Sequence, residues 1–404
     1  MSQAQVSPTP LISNRVLSLC LSHFRNYHSA RIEVQENLIV LIGPNGAGKT
    51  NVLEAISLLT PGRGLRRAEL TELDNMQDYA LWAVAAEISG AQGEAAIGTG
   101  RDNPLPLGEG RVRGESDGSI ALTPTLSQRE REKRIVKIDG KVARSQNDLA
   151  RFFAALWLTP QMDTLFIEGG SARRKFLDRM VYSFDSEHAS RINAYEYAMR
   201  ERNRLLAEGR ADPMWLSALE QKMAEQGIAI AVARSHAVEE LNRAMQLSNS
   251  SFPKAVLALK GAVEEALAGS SALKAEEKFG ELLAQSRPQD AAAGRTLSGV
   301  HRTQLEVIHL AKNMPAERCS SGEQKALLVS MVLAQARAGA AWHGRVPALL
   351  LDEVAAHLDA TRRSELFTEL STTGAQCWLT GTDREIFQGI KAQFLCVESG
   401  AIKT

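Results

Sequence analysis

The sequence predicts an α/β chain in which two regions of short strands flank a helical one, and three observations carry that prediction. Leu38-Ile39-Val40-Leu41-Ile42 is an apolar run that leads into a glycine-rich loop and then a helical pattern. Val346-Pro347-Ala348-Leu349-Leu350-Leu351 is a second apolar run, closed by the acids Asp352 and Glu353. Between them, residues 171–287 carry apolar residues at helical spacing: Trp215, Leu216, Leu219, Met223 and Ile230 recur at three, four and seven, with Glu220, Lys222 and Glu225 on the opposite side.

The glycine-rich loop is Gly43-Pro44-Asn45-Gly46-Ala47-Gly48-Lys49-Thr50, a G-x-x-x-x-G-K-[ST] pattern between an expected strand and the helical stretch Asn51-Val52-Leu53-Glu54-Ala55-Ile56. Its glycines let successive N–H groups converge on phosphate oxygens at the positive end of a helix. Lys49 adds a charge for the β- and γ-phosphates, and the Thr50 hydroxyl is a ligand for Mg²⁺. A strand–loop–helix context makes this a nucleotide site and not a bare glycine-rich turn. Given that loop, the second run acquires meaning: carboxylates at the C-terminal edge of a buried strand are how such ATPases hold Mg²⁺ and their attacking water. Asp352 is expected to hold the ion and Glu353 to act as general base.

Composition bounds the function. The chain has 404 residues, and Lys+Arg and Asp+Glu are both 47, so any nucleic-acid contact must come from local patches. No apolar run approaches the ~20 residues of a membrane span. The start is polar and unlike a signal peptide, and reads as a disordered leader over residues 1–13. Cys20, Cys319, Cys377 and Cys396 lack metal-ligand spacing and read as reduced cysteines of a cytoplasmic protein.

Taken in order, residues 16–21 read as a strand, followed by the turn His23-Phe24-Arg25-Asn26-Tyr27 ahead of the phosphate-loop strand. Arg25 and Asn26 are either solvated loop residues or contacts to a base or phosphate. Pro61-Gly62-Arg63-Gly64-Leu65-Arg66-Arg67 puts Arg63, Arg66 and Arg67 on a punctuated turn that attracts anions. Residues 81–88, 94–97 and 134–138 read as strands, the last ending in the hairpin signal Asp139-Gly140. Residues 101–133 lack apolar periodicity and read as a disordered insert. Arg173-Arg174-Lys175 is a second basic cluster, either a phosphate contact or a helix surface. Ser320-Ser321-Gly322 opens an apolar helix, offering a hydroxyl and free N–H groups to an anion, or simply an N-cap.

Together these stretches resemble the ATP-binding-cassette ATPases of the SMC type, and within them the bacterial recombination mediators. Phe24-Arg25-Asn26-Tyr27, the phosphate loop, Gly62-Arg63-Gly64-Leu65-Arg66-Arg67, Arg173-Arg174-Lys175-Phe176-Leu177-Asp178, His301-Arg302-Thr303-Gln304-Leu305 and Ser321-Gly322-Glu323-Gln324-Lys325 carry the likeness, which spans 14–404 apart from the insert. It implies an ATPase head over 14–165 and 298–404 and a helical arm lobe over 166–297. It implies ATP contacts from Gly43 through Lys49, Thr50 and Asn51, with Gln161 as the Q-loop residue, Ser320 and Gly322 as the signature, and Asp359 in the D-loop. It further implies an ATP-dependent homodimer that binds duplex DNA at single-strand gaps, through Arg63, Arg66, Arg67, Arg173 and Arg174, and works with RecR and RecO to load RecA.

Two departures stand out. Ser321 and Glu323 replace the usual signature Gly and Gln, and Thr380-Gly381-Thr382-Asp383 stands where a switch His is expected. Slow hydrolysis suited to a switch follows. The alternatives are an ATPase subunit of a membrane transporter, which the arm lobe and missing His oppose, and a chromosome-organising rod, which needs longer heptads.

Overall fold

The computed structural model describes residues 12–75, 80–101, 134–209 and 212–403; the expected leader and insert fall almost wholly outside them. Besides a two-stranded pairing of Ile12–Ser13 with Arg345–Val346, the strands in chain order are β1 (Arg15–Phe24), β2 (Tyr27–Glu33), β3 (Leu38–Ile42), β4 (Ala83–Gly90), β5 (Gly93–Arg101), β6 (Arg134–Ile138), β7 (Lys141–Val142), β8 (Ala155–Leu158), β9 (Ala255–Lys260), β10 (Gln304–His309), β11 (Met314–Pro315), β12 (Ala348–Leu351), β13 (Cys377–Gly381), β14 (Gln393–Glu398) and β15 (Ala401–Lys403). The main helices are α1 (Lys49–Ser57), α2 (Gly170–Tyr182), α3 (His188–Glu208), α4 (Pro213–Leu247), α5 (Ala262–Leu267), α6 (Ala272–Gln285), α7 (Arg287–Ala293), α8 (Ser321–Ala338) and α9 (Ala360–Thr372). The chain divides into two compact units: residues 1–157, 346–359 and 370–404 contribute to the first, and 158–345 and 360–369 to the second.

Two six-stranded sheets build the first unit. One is antiparallel, in the order β2-β1-β4-β5-β6-β7. Its β6–β7 connection is Asp139-Gly140, with φ of 49° and 77°, the left-handed pair that a two-residue hairpin demands. The other runs β15-β14-β3-β13-β12-β8, with β14, β3, β13 and β12 mutually parallel. Strands β3, β12 and β13 read as continuous apolar runs because both faces are covered: Ile39, Val40, Leu41, Leu349, Leu350, Cys377 and Trp378 are all fully buried. The buried Gln376 amide joins the sheets like an added strand residue, accepting from Val16 N–H at 2.8 Å and donating to Val16 C=O at 2.9 Å.

The second unit is mostly helical, but β9, β10 and β11 form a small antiparallel sheet. Residues 255–260 were expected to be helical. The run Ala-Val-Leu-Ala-Leu is too short for its period to decide, and six backbone pairings to β10, far along the chain, make it a strand. On α4 the buried stripe is rotated from the expected one. Leu216, Met223 and Ile230 are buried, but Trp215 is 56% exposed and Glu220 is 3% exposed. Glu220 can enter because the fully buried Arg202 donates to it at 2.9 Å, with Asp290 (2.7 Å) on the same guanidinium and Arg287 adding a second pair. Around this network Tyr195, Met223, Ile228, Phe279 and Leu283 form an apolar cluster. Among the described residues, no helix is long and apolar enough to cross a membrane.

Candidate nucleotide-binding site

The site lies at the C-terminal edge of the parallel sheet, where β3 delivers the glycine loop and β12 delivers the two acids. Strand β13 lies between them, with Gly381 opposite Ile42 and Leu379 opposite Leu351. Parallel strands end on the same edge, so Thr50 and Asp352, 302 apart in sequence, meet there. The Thr50 hydroxyl donates to Asp352, 3.0 Å from Oδ1 and 3.1 Å from Oδ2. Burial pushes the Asp352 carboxyl above its ordinary range, opposed by hydrogen bonds from Thr380 and Thr50. A threonine hydroxyl and a carboxylate facing each other at this distance fit the oxygen-ligand demands of Mg²⁺, which takes only a few protein ligands beside phosphate and water. No group of three or more His, Cys, Asp or Glu suited to a metal occurs among the described residues.

Lys49 is 4% exposed, and its ammonium donates to the carbonyls of Gly43 (2.7 Å) and Pro44 (2.9 Å). Burial lowers its pKa, while Glu353 and Asp352 nearby oppose the shift. The loop itself turns on Gly48 at φ 115°, where a Cβ would come within 2.6–2.8 Å of Asn26 and the Tyr27 hydroxyl. The Phe24-Arg25-Asn26-Tyr27 turn packs directly on this loop. Asn26 Nδ2 donates to Ala47 C=O at 2.8 Å and Tyr27 OH to Gly48 C=O at 3.0 Å, so the turn braces the phosphate loop.

Glu54, 1% exposed on α1, is a residue whose part the sequence did not disclose. Arg25 binds it through two bonds of 2.9 and 2.8 Å, and Arg66 through one of 3.0 Å. Arg66 also donates to Asn51 at 2.6 Å, and Asn51 donates to Asn26 at 2.7 Å. A continuous path thus runs from the arginine loop to the carbonyl of Ala47. Arg25, Asn26, Asn51, Arg66, Glu72 and Asp74 line a cavity of about 720 Å³ beside it.

The remaining expected residues are distributed as follows. Arg63 is exposed and paired with Glu69 at 2.8 Å, and Arg67 is exposed. Arg173 and Arg174, in the second unit, donate to backbone carbonyls: Arg173 to Phe166 (2.9 Å) and Glu168 (2.8 Å), and Arg174 to Thr303 (2.9 Å). Gln161 is exposed in a 3₁₀ turn, Pro160–Thr164, of the second unit, and Asp359 is exposed in the first. Ser320 caps α8 in the second unit: its N–H and hydroxyl both donate to Glu323, at 3.0 and 2.9 Å. Glu323 also binds Lys312, and that contact with the two from Ser320 holds its carboxyl down to about 2. Gly322 is exposed, with open space where a Cβ would stand. In the stretch where a switch His was expected, position 381 has no room for a side chain, since a Cβ on Gly381 would lie 2.4 Å from the Phe387 ring.

A phosphate loop, acids on the neighbouring strand but one, and a helical lobe with a capped Ser-Ser-Gly helix define an SMC-type ATPase head. Comparison with known proteins agrees. Residues 15–400 match the family described as RecF/RecN/SMC N terminal domain. The DNA replication and repair protein RecF of Agrobacterium fabrum is 45% identical over 389 residues, covering 95% of this chain and 97% of its own. That of Mesorhizobium japonicum is 44% identical over 391 residues, covering 96% and 97%. The solved structure of the recombination mediator protein RecF with ATPrS superposes with a TM-score of 0.78 at 22% identity, over 98% of this chain and 99% of that one. The chain belongs to the RecF family. That membership does not favour the transporter alternative.

Proposed function

We propose that this protein is an ATP-dependent DNA-binding recombination mediator of replication and repair. The observation that supports this best is the meeting of Thr50 and Asp352 beside Lys49 and the glycine loop, a site shaped for a nucleoside triphosphate with a cation. Similar solved proteins are described as RecF with ATP and RecF with ATPrS in the RecFOR pathway. In this reading Lys49 leaves the Gly43 and Pro44 carbonyls for the β- and γ-phosphates, and the N–H groups of residues 46–50 surround them. Thr50 and Asp352 would hold Mg²⁺, which when bound offsets phosphate charge. Glu353 takes a proton from the attacking water. The signature residues Ser320 and Gly322 close the site of a second copy, with Gln161 and Asp359 completing it, so ATP joins two copies and hydrolysis frees them.

The head and helical arm lobe act in the cytoplasm on duplex DNA at single-strand gaps. RecR and RecO are the partners in loading RecA. Arg67 and Arg63 are exposed for phosphate contact, Arg63 after leaving Glu69, and Arg66, Arg173 and Arg174 are further candidates that must first exchange internal bonds. The test is retention on gapped, blunt and single-stranded DNA with and without ATP. Retention on gapped duplex that needs ATP, falls steeply with salt and disappears in Lys49→Ala is expected. Equal retention without ATP would refute the reading.

A further inference from the structure

Strand β13 ends between the two halves of the nucleotide site, and its last residues touch both. Gly43 N–H, the first of the phosphate loop, donates to Gly381 C=O at 3.3 Å. Thr380, 1% exposed, donates through its hydroxyl to Asp352 Oδ1 at 2.8 Å and accepts from Glu353 N–H at 2.8 Å. A buried strand threonine ordinarily satisfies its hydroxyl on a nearby carbonyl. Here both bonds go to the acids of the site, and one hydroxyl serves the two.

The two bonds do different things. Glu353 has φ 54°, a left-handed conformation unusual for a residue with a side chain, and its N–H is fixed there by Thr380. Asp352 receives two hydroxyls, Thr50 and Thr380. Thr50 is also the hydroxyl that the phosphate-loop chemistry assigns to the cation; a lone pair can bind the ion while its O–H stays on Asp352, so its position follows that of the ion. Thr380 has no such second task, because its other hydrogen bond is already made to Glu353. It therefore aims Asp352 from the strand side, independently of where the ion draws Thr50.

We infer that Thr380 is a positioning residue that sets both acids at once: it orients the Asp352 carboxylate toward the cation and holds the Glu353 backbone turn that aims the general base. The inference rests on the reading of this site as one for ATP with Mg²⁺. It also gives a use to the strand end where a switch His is missing: Phe387 fills the space at 381, and the side chain facing the acids is that of 380.

The experiment titrates Mg²⁺ into full-length protein holding a fluorescent, non-hydrolysable ATP analogue, with kcat for ATP measured in parallel. Thr380→Val removes the hydroxyl at nearly constant shape. It is expected to bind the analogue in Mg²⁺-free buffer as the unmodified protein does. Its half-saturating Mg²⁺ is expected to rise about tenfold or more and its kcat to fall by roughly 10–100-fold, the range for partners of metal-binding groups. Thr380→Ser should restore both to within about threefold. If Thr380→Val is insoluble, Thr380→Ala carries the same contrast with Thr380→Ser. A Mg²⁺ titration of the hydroxyl-free variant that matches the unmodified protein overturns the inference, as does a serine variant as impaired as valine. If the unmodified protein itself shows no Mg²⁺-dependent binding, the ATP reading falls and takes the inference with it.

Discussion

Glu54 shows how a single buried residue can give two sequence motifs a common purpose. It sits on the phosphate-loop helix, and both of its oxygens are taken by arginines from separate loops, Arg25 and Arg66. The arginine side chains are 20% and 31% exposed, so water screens part of the interaction, while the carboxylate at 1% is out of reach of solvent. Removing one partner of a buried pair costs about 3–5 kcal/mol, and partial solvation of the arginines places Glu54→Ala near or below the lower end, at about 2–3 kcal/mol. A denaturant titration should show the midpoint fall with an unchanged slope. A loss under about 0.5 kcal/mol, the range of ordinary surface substitutions, would mean that the arginines find water equally good. The placement of Lys49, Thr50, Asp352 and Glu353 at one strand edge was legible in the sequence because a glycine loop and a strand-end pair of acids each follow an apolar run of their own. Glu54 was not, because a glutamate in an amphipathic helix looks solvated until its partners, brought by other loops, are placed. The same reason hid Arg202 and Glu220 in the arm, and turned Trp215 from an expected core residue into an exposed one.

At the scale of elements, local signals were read well where they sit next to each other in the chain. The hairpin signal Asp139-Gly140 and the strand 134–138 were legible because a two-residue turn imposes its own dihedral angles. Strand β9 was not, since its pairing partner β10 lies beyond three helices. The antiparallel register also bears on residues 102–133. Their flanking residues, Arg101 and Arg134, are direct cross-strand partners on β5 and β6. Arg101 gives its N–H to Trp82 C=O on the other side, so the pair is a non-hydrogen-bonded one, and a turn slightly longer than a two-residue hairpin loop, of about four residues, can join the strands. Loop-closure entropy changes by about 0.6 kcal/mol for each doubling of length, so replacing 102–133 with a Gly/Asn-containing turn of about four residues is expected to stabilise the protein by on the order of 2 kcal/mol. Arg134 guards the boundary: fully buried, it donates to the carbonyls of Leu58 and Gly62 and to Thr99 at 2.7 Å, and it must be kept. Thermal melts and ATP binding check the outcome. Insoluble protein, or loss of nucleotide binding, would show that the segment has a structural part.

For the whole molecule, the question is where the second half of the nucleotide site comes from. The phosphate loop and its acids belong to the first unit, and the Ser320–Gly322 helix start belongs to the second. Ser320 now gives its N–H to Glu323, one half of a capping box, and its hydroxyl to the same carboxylate, and a cap by itself would explain a serine there. A shared site between two copies asks more of it: Ser320 would turn from Glu323 to the γ-phosphate of a partner copy's ATP. The two roles separate under mutation. Lys49→Ala is expected to abolish ATP binding and dimerisation, whereas Ser320→Arg spares ATP binding and blocks dimerisation by bulk and lost N-terminal geometry. Glu353→Gln is expected to hold the dimer on DNA, because binding persists while the base is gone. Mixing Lys49→Ala with Ser320→Arg protein then decides the matter. In a heterodimer one composite site joins the two damaged halves. The other joins the intact phosphate loop of the Ser320→Arg copy to the intact signature of the Lys49→Ala copy. Sedimentation and ATPase assays of the mixture should therefore recover part of the activity that neither variant has alone. If Ser320→Arg by itself dimerises and hydrolyses ATP like the unmodified protein, Ser320 is a helix cap and the site belongs to one chain.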